Sequence, residues 1–181
     1  MRRDFRKWTL TAMAVVAVLA LQTGRAAAAP NYEATSRLRP GQKAYTFTAR
    51  DMNGQKVSLA DYKGKVVVLD FWARWCLPCL KEIPNLRRIY AQHRKSGLEI
   101  ISVSLDEGKD LKAFAKKNGM AWRNIHDGDL WDARGPLATK YGVVAAPALY
   151  VIDGTTGTIV AKNVTGDRLA QEVARALKNR G

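Results

Sequence analysis

Cys76 and Cys79 are the two cysteines of this 181-residue chain, and they stand two residues apart within residues 71–84, FWARWCLPCLKEIP, at the end of an apolar run. Cysteines at that spacing serve as a redox couple, as half of a metal site or as a structural staple. Zinc takes four ligands, and the histidines of the chain, His93 and His126, lie well away in sequence and in different elements. Covalent haem attachment needs His directly after the second cysteine, and Leu80 is there instead. A staple that closes so short a loop gains little entropy. Something more than stapling is implied, and dithiol redox chemistry explains the setting.

That chemistry needs a strand end followed by a helix start. Residues 66–72, VVVLDFW, are β-branched, aromatic and nearly all apolar, the pattern of a strand buried on both faces. From Cys76 the period changes: Leu80, Ile83, Leu86, Ile89 and Tyr90 recur at helical spacing up to about Lys95, where Ser96-Gly97 ends the helix. Cys76 then falls at the first turn, near unpaired N–H groups and the positive end of the helix dipole, where thiolate is favoured. Cys79, one turn on and turned inward, attacks a mixed disulfide and releases the partner as a dithiol. Pro78 suits a first turn, because its missing N–H costs little there.

The remaining elements frame this pair. Residues 44–49 and 56–59 alternate around Asn53-Gly54, a hairpin signal. Residues 98–105, LEIISVSL, read as a second central strand, 110–118 as a short helix stopped by Gly119, and 122–125 as a short strand. A brief helix over 135–141 precedes strands at 148–152 and 158–163 joined by Asp153-Gly154, and Asp167 is suited to cap a last helix running to Lys178. Such an order predicts an α/β fold, a mixed sheet with helices on both faces. Trp122 and Trp131 read as packing, and His126-Asp127-Gly128-Asp129 as a turn in preference to a calcium loop.

Trp75-Cys76-Leu77-Pro78-Cys79 after Phe71-Trp72-Ala73 resembles the thioredoxin active site, and the preceding hairpin together with Glu82-Ile83-Pro84 resembles the exported TlpA/ResA-like branch of the thioredoxin family. The similarity runs from about Ala44 to the C-terminus, and residues 103–107, VSLDE, also suit that branch. It implies a thioredoxin fold with an N-terminal hairpin and a central helix-strand insertion. It further implies that Asp70 is a buried carboxylate beneath the disulfide, able to take the proton of Cys79, and that Glu82 tunes cysteine acidity. Pro147 aligns with a cis-proline opposite the disulfide, which leaves the Ala146 backbone free to pair with an extended partner. Trp75, Leu77, Pro78 and Ala146 are accordingly expected to meet the substrate. One departure is Ala148, where the family often has Thr after the proline.

The ends and the charge bear on where this chemistry runs. Arg2, Arg3, Arg6 and Lys7 precede an apolar run over 10–21, and Ala26 to Ala29 follow, which is the order of a secretory signal. The apolar run is too short for the roughly 20 residues of a membrane span. Cleavage after Ala28 avoids placing Pro30 directly behind the cut. The expected organisation is a signal peptide over 1–28, a flexible lead-in over 29–43 and a thioredoxin-like domain over 44–181, exported to the periplasm or secreted. The opening Arg2-Arg3 also resembles a twin-arginine signal, with Arg6 where that pattern prefers Leu.

Net charge is +14, and without the five Lys/Arg and one Asp of residues 1–28 about +10 remains. The basic residues are scattered and an exported chain meets little nucleic acid, so they read as solvated basic surface with no nucleic-acid partner, and weak attraction to an anionic membrane surface or an acidic partner comes second. No cofactor or metal is called for. The expected activity is protein-disulfide reduction in exported clients, such as apocytochrome or copper-site proteins, with a membrane dithiol reductase as the electron donor the resemblance implies. Leu77-Pro78 adds no charge or imidazole to stabilise Cys76, which favours a reductant. The alternatives are a disulfide-forming oxidant and a non-enzymatic carrier of copper(I) or of clients on the same thiolates. A peroxidase of the peroxiredoxin type is disfavoured, because its cysteine pattern differs from this vicinal pair.

Overall fold

The computed structural model describes residues 38–106, 108–128 and 135–179. In chain order their elements are β1 (Thr48–Arg50), β2 (Lys56–Ser58), β3 (Val66–Trp72), α1 (Leu77–His93), β4 (Leu98–Ser104), α2 (Leu111–Lys117), β5 (Arg123–His126), α3 (Pro136–Tyr141), β6 (Ala148–Asp153), β7 (Thr158–Lys162) and α4 (Gly166–Lys178). β1 and β2 form a small hairpin, and the other strands form one sheet in the order β5-β4-β3-β6-β7. β3 runs parallel to β4 and antiparallel to β6, so the sheet is mixed. This is the thioredoxin fold, with α2 and β5 as the inserted helix and strand.

β3 is central because every residue of it is buried, and a strand with neighbours on both edges and helices on both faces needs no polar side. Strand alternation sends Phe71 to one face and Asp70 and Trp72 to the other. On the first face Phe71 packs on Tyr141 of α3 at 5.4 Å and on Tyr150 at 6.2 Å between ring centroids. On the second Trp72 stacks on Phe114 of α2 at 5.6 Å. Aromatic pairs of this kind add about 0.5–1.5 kcal/mol each beyond area burial. The parallel β3/β4 pairing demands a crossover, and α1 supplies it. Gly97, at φ 93°, takes the left-handed turn that brings the chain from α1 back to β4.

The expected hairpin forms, with strands shorter than its sequence suggests. Thr48, Ala49 and Arg50 pair with Ser58, Val57 and Lys56, and Asp51 closes the turn by accepting the N–H groups of Asn53 and Gln55 at 2.8 and 2.9 Å. The hairpin then covers the β5 edge, where the Met52 N–H donates to the Asn124 carbonyl at 2.8 Å. Ala44 does not join it, because its N–H is taken by the Gly157 carbonyl at 2.9 Å.

Two expectations are corrected. The described part of the 29–43 lead-in is held in place: the Gly41 N–H donates to the Ile159 carbonyl at 2.8 Å, Lys43 bridges to Thr158, and Leu38 is buried. The open edge of β7 offers the backbone groups that take it up. Asp167 does not cap α4. Its side chain is almost fully exposed, 3.7 Å from Arg88, while Thr165 holds the N-cap position. The signal segment 1–28, Trp131 and Asp129 lie outside the described residues.

Candidate active site

The chain leaves β3 at Trp72 and turns within four residues into α1, with the Cys76 N–H donating to the Ala73 carbonyl at 3.1 Å. Cys76 is the N-cap of α1, and its sulfur accepts the Cys79 N–H at 3.2 Å. Ser, Thr and Asp usually fill that role because they offer an oxygen acceptor. Here sulfur does so, and a thiolate accepts such a bond better than a thiol. Cys76 and Cys79 are joined by a disulfide. Both are largely buried, 4% and 3% exposed, so in this oxidised state Cys76 is almost as sheltered as Cys79.

The loop before Cys76 is held from across the sheet by a residue whose role the sequence did not show. Asp106, following β4, accepts the Arg74 N–H at 2.8 Å and the Ser104 hydroxyl at 3.0 Å, with the Arg74 guanidinium 3.7 Å away. Serines at 102 and 104, in an otherwise apolar buried strand, were the visible signal that this side of the sheet carries polar partners.

Asp70 lies on the second face of β3, 4% exposed. Burial pushes its carboxyl up to about 7, opposed by the hydrogen bond from Ser102 and reinforced by the charge of Glu82. A carboxyl with that value exchanges protons readily at neutral pH. The Ser102 Oγ–H donates to Asp70 Oδ2 at 3.0 Å, and the Trp122 indole N–H donates to Ser102 Oγ at 2.8 Å. Trp122 is thus packed, as its sequence suggests, and also hydrogen-bonded towards Asp70.

Glu82 is buried one turn beyond Cys79. Its two oxygens accept the Gly166 N–H at 3.0 and 3.1 Å, and Oε1 also accepts from the Asn85 amide at 2.5 Å. Its direct partners are therefore the first N–H of α4 and a side chain of its own helix, and it acts on Asp70 through its charge.

The Ala146–Pro147 bond is cis. Phe71 pairs with Ala148, so this bond lies at the same end of the sheet as the loop leading to Cys76. Large apolar side chains are exposed at this end: Trp75 at 46%, Leu77 at 61% and Val144 at 47%. Pro78 is also exposed, Pro147 half-buried and Ala146 buried. Among the described residues, no group of three or more His, Cys, Asp or Glu side chains is arranged to hold a metal ion.

Residues 40–162 match the AhpC/TSA family. The chain is 31% identical over 142 residues to the thiol-disulfide oxidoreductase ResA of Bacillus thuringiensis subsp. konkukian, covering 78% of this chain and 79% of that protein. It is 26% identical over 178 residues to ResA of Halalkalibacterium halodurans, covering 97% and 98% of the two chains. In structure it is similar to the thioredoxin domain of a thiol-disulfide oxidoreductase from Bacteroides vulgatus, with TM-score 0.67 and 33% identity over 77% of this chain and 99% of that one. It is also similar to a thiol:disulfide interchange protein from Bacteroides sp., with TM-score 0.66 and 30% identity over 78% and 92%.

Proposed function

The chain belongs to the AhpC/TSA family and is a thiol-disulfide oxidoreductase, and from that premise we propose that it works as a reductant, passing two electrons from a Cys76/Cys79 dithiol to disulfides of exported client proteins. The observation that carries this reading is a disulfide at the N-cap of α1, flanked by exposed Trp75 and Leu77, with the protonatable Asp70 on the strand that feeds it.

In the forward reaction the Cys76 thiolate attacks one sulfur of the client disulfide. A mixed disulfide forms, and the client's other sulfur leaves as a thiolate and takes a proton from water. Cys79 then gives its proton to the Asp70 carboxylate and attacks the Cys76 sulfur, which releases the second client thiolate. The second client thiolate takes a proton from water and Asp70 returns its own to water, so the client has gained two electrons and two protons and the Cys76–Cys79 disulfide has formed. Glu82 favours the protonated form of Asp70 through its charge. Trp75, Leu77, Pro78, Ala146 and Pro147 form the surface against which the client segment lies.

Leu77 and Pro78 bring neither charge nor imidazole to Cys76, which supports the reducing direction, since extra stabilisation of the thiolate is what makes a pair oxidising. Apocytochrome and copper-site proteins are the proposed clients, and a membrane dithiol reductase the proposed donor. The basic, apolar and small-residue order of the first 28 residues supports export to the periplasm or beyond by a cleaved signal.

The test is the reduction potential of the Cys76/Cys79 pair, equilibrated against glutathione. A value near that of thioredoxin, about −270 mV, is expected, whereas one near that of a strong oxidant, about −120 mV, would make the chain a disulfide donor.

A further inference from the structure

Asp70, Ser102 and Trp122 come from neighbouring parts of the sheet: β3, β4 and the residue that leads into β5. Asp70 and Ser102 are register partners across β3 and β4, so their side chains leave the same face side by side. The Ser102 hydroxyl donates to Asp70 Oδ2 at 3.0 Å and accepts the Trp122 indole N–H at 2.8 Å. All three residues are buried, Ser102 completely. Tyr90 of α1 meets the Trp122 ring edge-on at 5.7 Å, so the helix that carries the cysteines also sets the indole.

The polarity of this chain is fixed by the chemistry of its members. An indole N–H only donates, so Ser102 Oγ is the acceptor of that bond. A hydroxyl has one hydrogen, and Ser102 directs it to Asp70 Oδ2. Turned away, that hydrogen would be left without this partner in a buried site, at the desolvation cost of a buried polar group. Oδ2 is therefore the favoured acceptor whether or not Asp70 is ionised, and Oδ1 the favoured seat of an arriving proton.

We propose that Ser102 and Trp122 are positioning residues for Asp70, reserving Oδ2 as a fixed acceptor so that Oδ1 alone takes up and returns the proton of the resolving cysteine. This rests on the reading of Asp70 as the proton acceptor of the dithiol. An indole bond to Ser102 Oγ also strengthens that hydroxyl as a donor, since hydrogen bonds in a chain polarise one another. Loss of either residue therefore weakens the support of the Asp70 carboxylate. Among the described residues, Glu82 of α1 is the charged group that acts on Asp70, and β6 presents Leu149 at the paired position.

The experiment compares the full chain with Ser102→Ala, Ser102→Thr, Trp122→Phe and Asp70→Asn. Two quantities are followed: the Asp70 titration in the oxidised protein, by carboxyl-carbon NMR, and the pH profiles of capture and of release of a client mixed disulfide. Ser102→Ala should raise the Asp70 midpoint by about one pH unit, a tenfold change in proton affinity, and move the release profile with it. Trp122→Phe should move both the same way by less, Ser102→Thr should restore the wild-type values, and capture should keep its profile throughout. If Asp70→Asn slows release while Ser102→Ala and Trp122→Phe leave the midpoint and the release profile unmoved, the positioning role is overturned and Asp70 keeps its own. If Asp70→Asn leaves release unchanged, the reading of Asp70 falls and the inference with it.

Discussion

Glu82 of α1 accepts the first N–H of α4, that of Gly166, through both carboxylate oxygens, at 3.0 and 3.1 Å. One residue thereby holds two helices together and keeps a negative charge where it raises the Asp70 carboxyl. A helix N-terminus is a favourable place for that charge, because the orphan N–H groups and the dipole both stabilise it. Asp70 is the group pushed towards neutrality.

These two roles separate on substitution. Glu82→Gln keeps an oxygen for Gly166 and Asn85 and removes the charge, so unfolding free energy in urea should change by no more than about 1 kcal/mol. Glu82→Ala loses the cap as well and should cost about 1–3 kcal/mol. Both should lower the Asp70 midpoint in a carboxyl-carbon NMR titration. An unchanged midpoint in both variants would show that Glu82 only ties α1 to α4.

The elements around this junction were legible in sequence to different degrees. β3, β4 and α1 were clear, because their apolar patterns are long and each changes sharply at its ends. The cysteine pair stands between two of them, and so the site was found with the fold. Asp167 misled because a first-turn carboxylate reads like a cap, whereas the first N–H of α4, that of Gly166, is taken by Glu82, 84 positions before it. No local pattern encodes a partner at that separation. Asp106 and Trp122 were hidden for the same reason: a spacing rule sees neighbours on one element, and their bonds cross between elements. The hold on residues 38–43 was equally invisible, since it runs mainly through backbone groups, which carry no side-chain signature.

Cys76 and Cys79 should divide the reaction cleanly. Cys76→Ser should abolish disulfide reduction. Cys79→Ser should capture a client as a mixed disulfide that persists on a non-reducing gel and shows the summed mass. Turnover by Cys79→Ser at the wild-type rate would rule out resolution by a second thiol.

Asp70 should make the oxidised protein less stable as pH rises. Its folded value of about 7 lies above that of the unfolded chain, about 3.9, so the folded state binds more protons between these limits and unfolding free energy falls across them. Some three pH units at 1.36 kcal/mol each set an upper figure of about 4 kcal/mol. Asp70→Asn removes the titration and keeps an oxygen for Ser102. Its stability relative to wild type, from urea unfolding at successive pH values, should therefore grow from pH 4 to about pH 7 and then level off. A constant difference would mean that Asp70 titrates alike in both states.

Asp106 should govern the order of the loop that delivers Cys76. Asp106→Ala strands the Arg74 N–H and the Ser104 hydroxyl, at about 2–3 kcal/mol. Asp106→Asn retains an acceptor and should cost about half as much. Amide hydrogen exchange at residues 74–76 should quicken in the order wild type, Asn, Ala, and client capture should slow in the same order. Exchange that quickens equally over the whole sheet would mean a general loss of stability instead of a local release.

Asp51 should give the hairpin an acid-sensitive attachment. Burial alone would raise its carboxyl, but the hydrogen bond from Arg123 and the N–H groups of Gln55 and Asn53 together hold it below the usual range. A depressed carboxyl contributes stability above the unfolded value, about pH 4, and loses it as pH falls through the folded one. Arg123→Met removes the guanidinium 2.7 Å from Asp51, and because that group is 40% exposed the cost should be only about 1 kcal/mol. Asp51→Ala also takes away the acceptor that closes the turn and should cost about 2–3 kcal/mol at neutral pH. Both losses should shrink below pH 4, and exchange at Met52, whose N–H reaches the Asn124 carbonyl, should rise in both variants at neutral pH. If exchange at Met52 stays at the wild-type rate, the hairpin is held by its backbone bonds and not by this ion pair.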